Sequence, residues 1–470
     1  MAGTATSPFG ASRRENHDAS DFYARFTPPA ISADAAVVPA VRRDAIFPID
    51  AAAMTDAEVA DDSVALVVTS PPYFVGKEYE RDVDAGHVPE TYLEYLDGLR
   101  AVFEVCAAKL EPGGRIAVNV ANLGRKPYRS LAADVISILQ DDLGLLLRGE
   151  IIWQKARGAT GSCAWGSFQS PVNPVLRDLT ERVIVASKGR FDRALTRRQR
   201  AGRGLPSEVS ISRDDFLEAT TDVWEIPAES ATRVGHPAPF PVALPQRLID
   251  LYTYREDLVM DPYMGSGTTA VAAVRTGRHY VGFDVDPDYV RAAERRIEAE
   301  RRRLAEHDQL ALPGVSLPAL PAEVPAGESP VDAARRAGLK ATEVALALVA
   351  EAGFEVTGTD VKVGAGLTVT ATATDRDGRE WLFDVVGGFT TTRTGLDKAD
   401  VLWRTLGKVA VVAAERAPHR FVLLSTGLPT PGSTGATALD ALRGELITDA
   451  LDLGNPATPL VLAEMAGAPA

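Results

Sequence analysis

The chain has 470 residues, which is long enough for two or three domains. Its hydrophobic and charged fractions, 46% and 24%, are those of an ordinary soluble globular protein. Cys106 and Cys163 form no disulfide framework or metal spacing, and no apolar run is long enough to span a bilayer. We therefore expect a cytoplasmic protein without a metal site or a membrane segment. The net charge of −14 argues against a nucleic-acid binder unless positive charge is concentrated locally.

The first part of the chain carries few structural signals. Residues 1–40 are rich in Ala, Ser and Pro, and they predict a disordered N-terminal arm. A domain is expected to begin near residue 41 and to extend to residue 308. Its first predicted strand, 45–50, ends in the carboxylate of Asp50.

A strongly apolar strand then leads into the segment Thr69-Ser70-Pro71-Pro72-Tyr73, which we call the lip. The two prolines remove backbone donors and end the strand, so the lip is rigid. It lies at the carboxyl end of a strand, where open α/β sheets bind their ligands. The Ser70 hydroxyl and the Ser70 and Pro71 carbonyls are acceptors beside the flat ring of Tyr73. This combination suits an amino group on a planar ring, and the alternative is a proline-terminated turn.

Strands and helices are predicted to alternate through this domain. Strands are expected at 63–68, 115–120, 147–154 and 182–187, and helices at 90–110 and near 130–140. This alternation predicts an α/β domain built on a parallel sheet.

One segment concentrates positive charge in this acidic chain. Residues 188–206 contain only one acidic residue and seven basic ones, which are Lys188, Arg190, Arg193, Arg197, Arg198, Arg200 and Arg203. We expect them to contact phosphate groups of a nucleic acid. A solvated surface loop is the alternative.

The second motif, which we call the glycine loop, is DPYMGSGTT at residues 261–269, between an apolar strand and a predicted helix. Gly265 and Gly267 permit positive φ and let a ligand approach the backbone, and the helix N-terminus offers amide donors to a carboxylate. The next predicted strand leads to Asp284, an acid in the position that holds ribose hydroxyls in adenosine-type sites. The loop lacks the Lys of a P-loop and the spacing of a dinucleotide-binding motif, and a plain strand-to-helix turn is the alternative.

The last third of the chain predicts a second, smaller unit. A charged helix is expected at 291–303, and residues 309–330 are proline-rich without periodicity, which indicates a linker. Residues 331–470 then predict a small α/β domain, with helices at 331–352 and 397–416 and strands at 354–357, 367–373, 380–386 and 421–425.

Together, the lip and the glycine loop resemble the amino-group DNA methyltransferases of bacterial restriction-modification systems, and their order resembles the circularly permuted β group. Segments at 236–251 and 281–289 also resemble that group, so the resemblance covers about residues 45–300. It implies a Rossmann-like methyltransferase fold with S-adenosylmethionine as the methyl donor. The cofactor contacts that it implies are Asp50, Asp261, Pro262, Gly265, Gly267, Thr268, Thr269 and Asp284.

The same resemblance assigns catalysis to the lip, residues Ser70, Pro71, Pro72 and Tyr73. Ser70 and the Pro71 carbonyl would hold the target amino group, and Tyr73 would stack on a base flipped out of double-stranded DNA. The sulfonium methyl is already activated, so the enzyme needs alignment and desolvation rather than a strong base. Ser at the position of Ser70 favours cytosine N4 over adenine N6 in this family. The segment at about 188–235 would read the DNA sequence.

The second domain resembles the PD-(D/E)xK nuclease fold through its α-β-β-β-α-β order, with Asp384 on the third strand. Val386 stands where that family has Lys, so we expect a non-catalytic domain that binds DNA or a partner. A cognate restriction nuclease and a second copy in a homodimer are the partners that the resemblance adds. The competing hypotheses are methylation of RNA or a small amine, a bifunctional protein that also cuts DNA, and a catalytically silent DNA-binding protein.

Overall fold

The computed structural model describes residues 31–72, 91–122, 128–155, 171–174, 176, 178–228, 240–310, 320, 331, 334, 339–363, 366–389, 395–415 and 420–467. These residues form two α/β domains, each with its own hydrophobic core. The first domain is built on an eight-stranded sheet and the second on a five-stranded sheet. Among the described helices, none is both long enough and apolar enough to cross a membrane.

The eight-stranded sheet contains β1 (Ala45–Phe47), β2 (Val64–Thr69), β3 (Leu110–Val120), β4 (Leu146–Gln154), β5 (Thr180–Ser187), β6 (Val223–Glu225), β7 (Leu258–Asp261) and β8 (His279–Phe283). Their order across the sheet is β1-β8-β7-β2-β3-β5-β4-β6. From β1 to β3 in that order the strands are parallel, but β5 is antiparallel to both β3 and β4. The sheet is therefore mixed, which corrects the predicted parallel sheet. The reason is that β5 lies between β3 and β4 and runs opposite to both, so the parallel order is interrupted at this strand.

The described helices of this domain are α1 (Tyr92–Lys109), α2 (Leu131–Ser137), α3 (Arg197–Gly202), α4 (Arg213–Ala219), α5 (Ala243–Tyr252), α6 (Thr268–Arg275) and α7 (Pro287–Leu310). One face of the sheet packs against α1 and α2, and the other against α5, α6 and α7. Every residue of β2 and of β7 is buried, as expected for central strands covered on both faces. The predicted strands of this domain are present, as are the predicted helices that correspond to α1, α2, α6 and α7, whereas α3, α4, α5 and β6 were not predicted.

Part of the predicted N-terminal arm lies against this domain. Ser32 N donates to the Gly189 carbonyl (2.6 Å) and Val38 N to the Asp62 carbonyl (3.0 Å). These two hydrogen bonds attach residues 31–40 to the domain. Residues 1–30 lie outside the described residues, and disorder of the N-terminal arm stays a prediction there.

The second domain contains β9 (Glu355–Val363), β10 (Leu367–Thr374), β11 (Glu380–Val386), β12 (Phe421–Ser425) and β13 (Asp449–Asp452), with helices α8 (Ala341–Glu351), α9 (Ala399–Glu415), α10 (Thr434–Asp440) and α11 (Thr458–Met465). The strand order is β13-β12-β11-β10-β9, with β10 antiparallel to both neighbours and β11, β12 and β13 parallel. The helix–strand order predicted up to β12 is present, and α10, β13 and α11 extend it.

Candidate active site

The carboxyl ends of four neighbouring strands bring the two motifs together. The lip follows β2 and the glycine loop follows β7, and these two strands pair in parallel. Asp284 follows β8, the next strand, and Asp50 lies three residues beyond β1. Because parallel strands end at the same edge of a sheet, the predicted catalytic and cofactor residues share one edge. Tyr73 lies outside the described residues.

Asp261 fastens the lip strand to the glycine loop. Its carboxylate accepts hydrogen bonds from Thr69 Oγ1 (2.8 Å), Thr269 Oγ1 (2.7 Å) and the backbone N of Tyr263 (3.1 Å). The residue is 2% exposed, and burial raises its pKa to about 6 although the hydrogen bonds from Thr269 and Thr69 oppose that rise. Asp261 therefore connects β2 to the glycine loop and to the start of α6, where Thr269 donates to it.

The glycine loop is shaped by backbone geometry. Gly265 and Gly267 have φ values of 51° and 81°, in the left-handed region that favours glycine. A Cβ on Gly267 would lie 2.8 Å from Cβ of Ala293 on α7, so the loop packs closely on that helix. Gly265 N donates to Asp284 Oδ2 (2.8 Å), and burial raises the pKa of Asp284. The loop and the acid after β8 thus form one unit.

The remaining predicted cofactor residues have partners within the protein. Arg296 Nη1 donates to Thr268 Oγ1 (3.1 Å) and to the hydroxyl and carbonyl of Ser266 (2.8 and 2.7 Å). Asp50 is exposed and caps a short 3-10 turn by accepting from Ala52 N (2.9 Å). Pro262 is buried between Asp261 and Tyr263. These side-chain contacts therefore help to hold the shape of the loop and of the segment after β1.

Helix α1 contacts the lip. Pro71 is buried, Pro72 is exposed, and Tyr95 Oη donates to the Pro72 carbonyl (2.8 Å). Ser70 is half-buried, and its Oγ accepts from Asn119 Nδ2 at 3.4 Å. Residues 70 and 72 of the lip are thus attached to β3 and α1, respectively.

Next to Ser70 lies a series of hydrogen-bonded polar side chains that was not predicted from the sequence. Asn119 on β3 donates through Nδ2 to Glu181 Oε2 on β5 (2.6 Å), and Lys155, directly after β4, donates to Glu181 Oε1. These residues are far apart in the sequence and meet only through the order β3-β5-β4. The one available signal was a polar residue, Asn119, within the otherwise apolar run 116–120 of β3.

Two residues predicted to contact phosphates form a buried ion cluster instead. Arg200 is 1% exposed and donates to Glu111 (3.2 Å) and Asp257 (2.8 Å). Arg193 joins the same two carboxylates, at 2.6 Å each. The prediction is therefore wrong for Arg193 and Arg200, because carboxylates from other elements of the domain already surround their guanidinium groups.

The other members of the basic segment divide into two groups. Lys188 Nζ donates to Asp62 Oδ1 and to the carbonyls of residues 108 and 110, each at 2.8 Å, which corrects its predicted phosphate role because all three donors are used. Arg190 donates to the carbonyl of Asp34 (3.0 Å) and so helps to hold residues 31–40. The exposed members are Arg197, Arg198 and Arg203.

A cysteine nucleophile and a metal centre both lack support at this edge. Cys106 on α1 is fully buried, and burial raises the pKa of its thiol, which opposes formation of the thiolate. Cys163 lies outside the described residues. Within the described ranges, no three His, Cys, Asp or Glu side chains lie together as metal ligands would.

Comparison with known proteins bears on the first domain. Residues 64–295 match the N6_N4_Mtase family, described as DNA methylase. The Type II methyltransferase M.BglI of Bacillus subtilis is 27% identical over 51% of this chain and 82% of its own length. TTHA0409 of Thermus thermophilus, solved with S-adenosyl-L-methionine, is 28% identical with a TM-score of 0.42, covering 55% of this chain and 95% of that one. The cytosine-N4-specific PvuII DNA methyltransferase is 22% identical with a TM-score of 0.41, covering 55% of this chain and 92% of that one. The family match and the Type II relatives support an amino-group DNA methyltransferase, acting on N4 or N6, and therefore an enzyme.

Proposed function

We propose that this chain transfers a methyl group from S-adenosylmethionine to the N4 amino group of cytosine in double-stranded DNA. One observation carries the proposal: the lip and the glycine loop end adjacent strands and are joined through Asp261. An acceptor for an amino group and a loop suited to an adenosine-type cofactor therefore lie side by side. That arrangement supports transfer between the two ligands.

The glycine loop fits the cofactor through its backbone. The left-handed glycines permit close approach, and the N-terminal end of α6 favours the amino-acid carboxylate of the cofactor. Asp284 is the residue for the ribose hydroxyls, and Asp50 is the residue for the adenine ring. When bound, the cofactor supplies a methyl group already activated by its sulfonium charge.

The lip acts on the amine. Ser70 Oγ and the Pro71 carbonyl accept hydrogen bonds from the amino N–H groups, which turns the nitrogen lone pair away from ring conjugation and towards the methyl group. Tyr73 keeps its predicted stacking role. No strong base is required, in agreement with the absence of His and Glu from the lip sequence. Since the target atom is inside the duplex, the base must be flipped into the site.

Recognition of DNA is assigned to the segment at about 188–235. Arg197, Arg198 and Arg203, on and just after α3, are exposed and suited to phosphate contacts. The segment lies between the lip strand and the loop strand in the chain, which agrees with the permuted β-group order. Ser70 favours cytosine N4, and adenine N6 is the alternative. A cognate nuclease, a homodimer and a cytoplasmic location remain predictions.

The second domain is proposed to be non-catalytic. Lys408 on α9 donates to both oxygens of Asp384 (2.8 and 2.7 Å), and Thr370 donates to Oδ1 at 3.3 Å. Asp384 is 6% exposed, and its carboxylate is used by an ion pair within the domain. A cleavage assay of the full chain on plasmid DNA with Mg²⁺ or Mn²⁺ tests this proposal. Cutting that is lost in Asp384→Ala would refute it.

The substrate class is tested by transfer of labelled methyl groups. Purified protein and tritiated S-adenosylmethionine are incubated with mixed-sequence duplex DNA, with RNA of the same sequence, and with free cytosine. We expect label on the duplex alone. Label on RNA or on the free base would move the substrate to that class, and absence of cofactor binding by calorimetry would overturn the proposal.

A further inference from the structure

The second domain contacts the first at the segment that is assigned to DNA recognition. Lys340 Nζ donates to Asp215 Oδ2 on α4 at 2.8 Å, across the domain boundary. The two side chains are 33% and 20% exposed, so solvent screens this ion pair less than a fully exposed one. Both residues also line a cavity of about 110 Å³, together with Ile226 and Pro227 of the first domain and Phe389 of the second. The second domain therefore adjoins both α4 and the chain just after β6.

The two partners of this ion pair are each held within their own domain. Lys340 directly precedes α8, and its backbone N donates to Glu343 Oε2 (2.6 Å). On the other side, α4 is only seven residues long, and a helix of that length depends on tertiary contacts. Within the first domain, Glu218 of α4 pairs with Arg247 of α5 (2.6 Å). The pair with Lys340 adds a contact to α4 from the other domain.

Strand β6, which follows α4, ends at the same edge of the sheet as the lip. It is parallel to β4, and both β4 and β3 are antiparallel to β5, so β6 runs in the direction of β3 and β2. Four strand spacings separate β6 from β2, which is about 19 Å. That distance corresponds to about six base pairs of B-DNA at about 3.4 Å each. The chain after β6 is therefore within reach of bases that flank the one held by the lip.

We infer that the second domain positions the recognition segment for DNA, and that the pairing of Lys340 with Asp215 holds the two together. This inference rests on the proposed function, because the segment at about 188–235 is assigned to DNA recognition there. Residues 331–470 contain 17 acidic and 13 basic residues, a balance that disfavours direct binding to phosphates. The second domain thus acts on DNA binding through α4 and β6, and Lys340 and Asp215 are positioning residues.

Reversal of the two charges tests this inference in the full-length protein. Lys340→Glu and Asp215→Lys each place like charges opposite each other, whereas the double variant restores an ion pair with the charges exchanged. We expect each single variant to increase the radius of gyration in small-angle X-ray scattering and to raise KM for plasmid DNA about tenfold. The cofactor Kd and kcat at saturating DNA should change less than about threefold, since the lip and the glycine loop are untouched. The double variant should return to the wild-type radius and to within about threefold of the wild-type KM.

Arg443→Glu is the matched control. Arg443 pairs with Asp440 and Asp449 (2.9 Å each) inside the second domain and is not among the residues that line the cavity. Its reversal should change neither the radius nor KM. The inference is overturned if the single variants separate the domains without raising KM, if they leave the domains together, or if the double variant stays as impaired as they are. Failure of the wild-type protein to methylate DNA would instead count against the proposed function, and the scattering would still report whether the ion pair holds the domains.

Discussion

The buried carboxyl of Asp261 should make the stability of the first domain depend on pH. Its pKa is raised from 3.8 to about 6, because burial disfavours the charged form more than Thr269 and Thr69 stabilise it. A carboxyl with a raised pKa binds its proton more tightly in the folded state. Ionisation of Asp261 therefore destabilises the folded state. This effect is absent below about pH 4, grows as the pH rises, and is complete above about pH 7.

The size of the effect follows from the shift. About two pKa units correspond to about 3 kcal/mol, and the 2% exposure of Asp261 leaves little solvent screening. Asp261→Asn removes the ionisable group while keeping the size of the side chain. We therefore expect the free energy of unfolding of Asp261→Asn, relative to wild type, to increase by about 2 kcal/mol between pH 4.5 and 7.5.

Urea unfolding of the full-length proteins measures this difference. Trp153 and Trp224 are buried in the first domain and report its unfolding by fluorescence, and subtraction of the wild-type curve at each pH cancels the other groups. Glu300→Gln is the control, because Arg275 and Arg303 lower the pKa of Glu300 to about 2 against the effect of burial. Its difference from wild type should stay nearly constant over the same range. A constant difference for Asp261→Asn as well would show that the pKa of Asp261 is not raised in the folded protein.

Three further predictions follow from particular contacts. Arg200→Met leaves two buried carboxylates short of a partner and should lower the free energy of unfolding, measured with urea, by about 3 kcal/mol. Arg198 is exposed, so Arg198→Ala should keep the stability and reduce the slope of log K for DNA binding against log salt concentration by about 1. The reverse pattern would contradict the division of these arginines into buried and DNA-contacting residues. Gly267→Ala should weaken cofactor binding at least tenfold by calorimetry, because of the positive φ and the contact with Ala293, and unchanged affinity would exclude this tight packing. Cys106 should react with a maleimide only after unfolding by urea, since it is buried and burial raises the pKa of its thiol, and rapid labelling of this thiol in the native protein would contradict that burial.

The sequence predicts the frame of the site because its signals are local. Prolines ended β2, glycines shaped the turn after β7, and apolar runs marked the strands between helices. Both motifs could be assigned to the carboxyl edge of a sheet without knowing the strand order. Their adjacency, and the role of Asp261 in joining them, needed the pairing of β2 with β7.

Interactions between distant residues were not predictable in this way. The acidic partners of the basic segment were not visible in the sequence because those of Arg200, Glu111 and Asp257, lie 89 and 57 residues away from it in the chain. Likewise Asn119, Glu181 and Lys155 belong to three segments that meet only in the mixed part of the sheet. Charge and polarity in a sequence indicate that partners are needed, but only the fold identifies them.

The most direct test of the central claim is mass spectrometry of nucleosides from duplex DNA methylated by the wild-type protein and by Ser70→Ala. Ser70→Ala keeps the prolines and the backbone of the lip but removes the acceptor that Asn119 contacts. We expect N4-methylcytosine from the wild type and at least a tenfold lower yield from the variant under single-turnover conditions. Detection of N6-methyladenine would mean that the target base is adenine instead of cytosine. Equal yields from the two proteins would contradict the proposal that the lip holds the target amine.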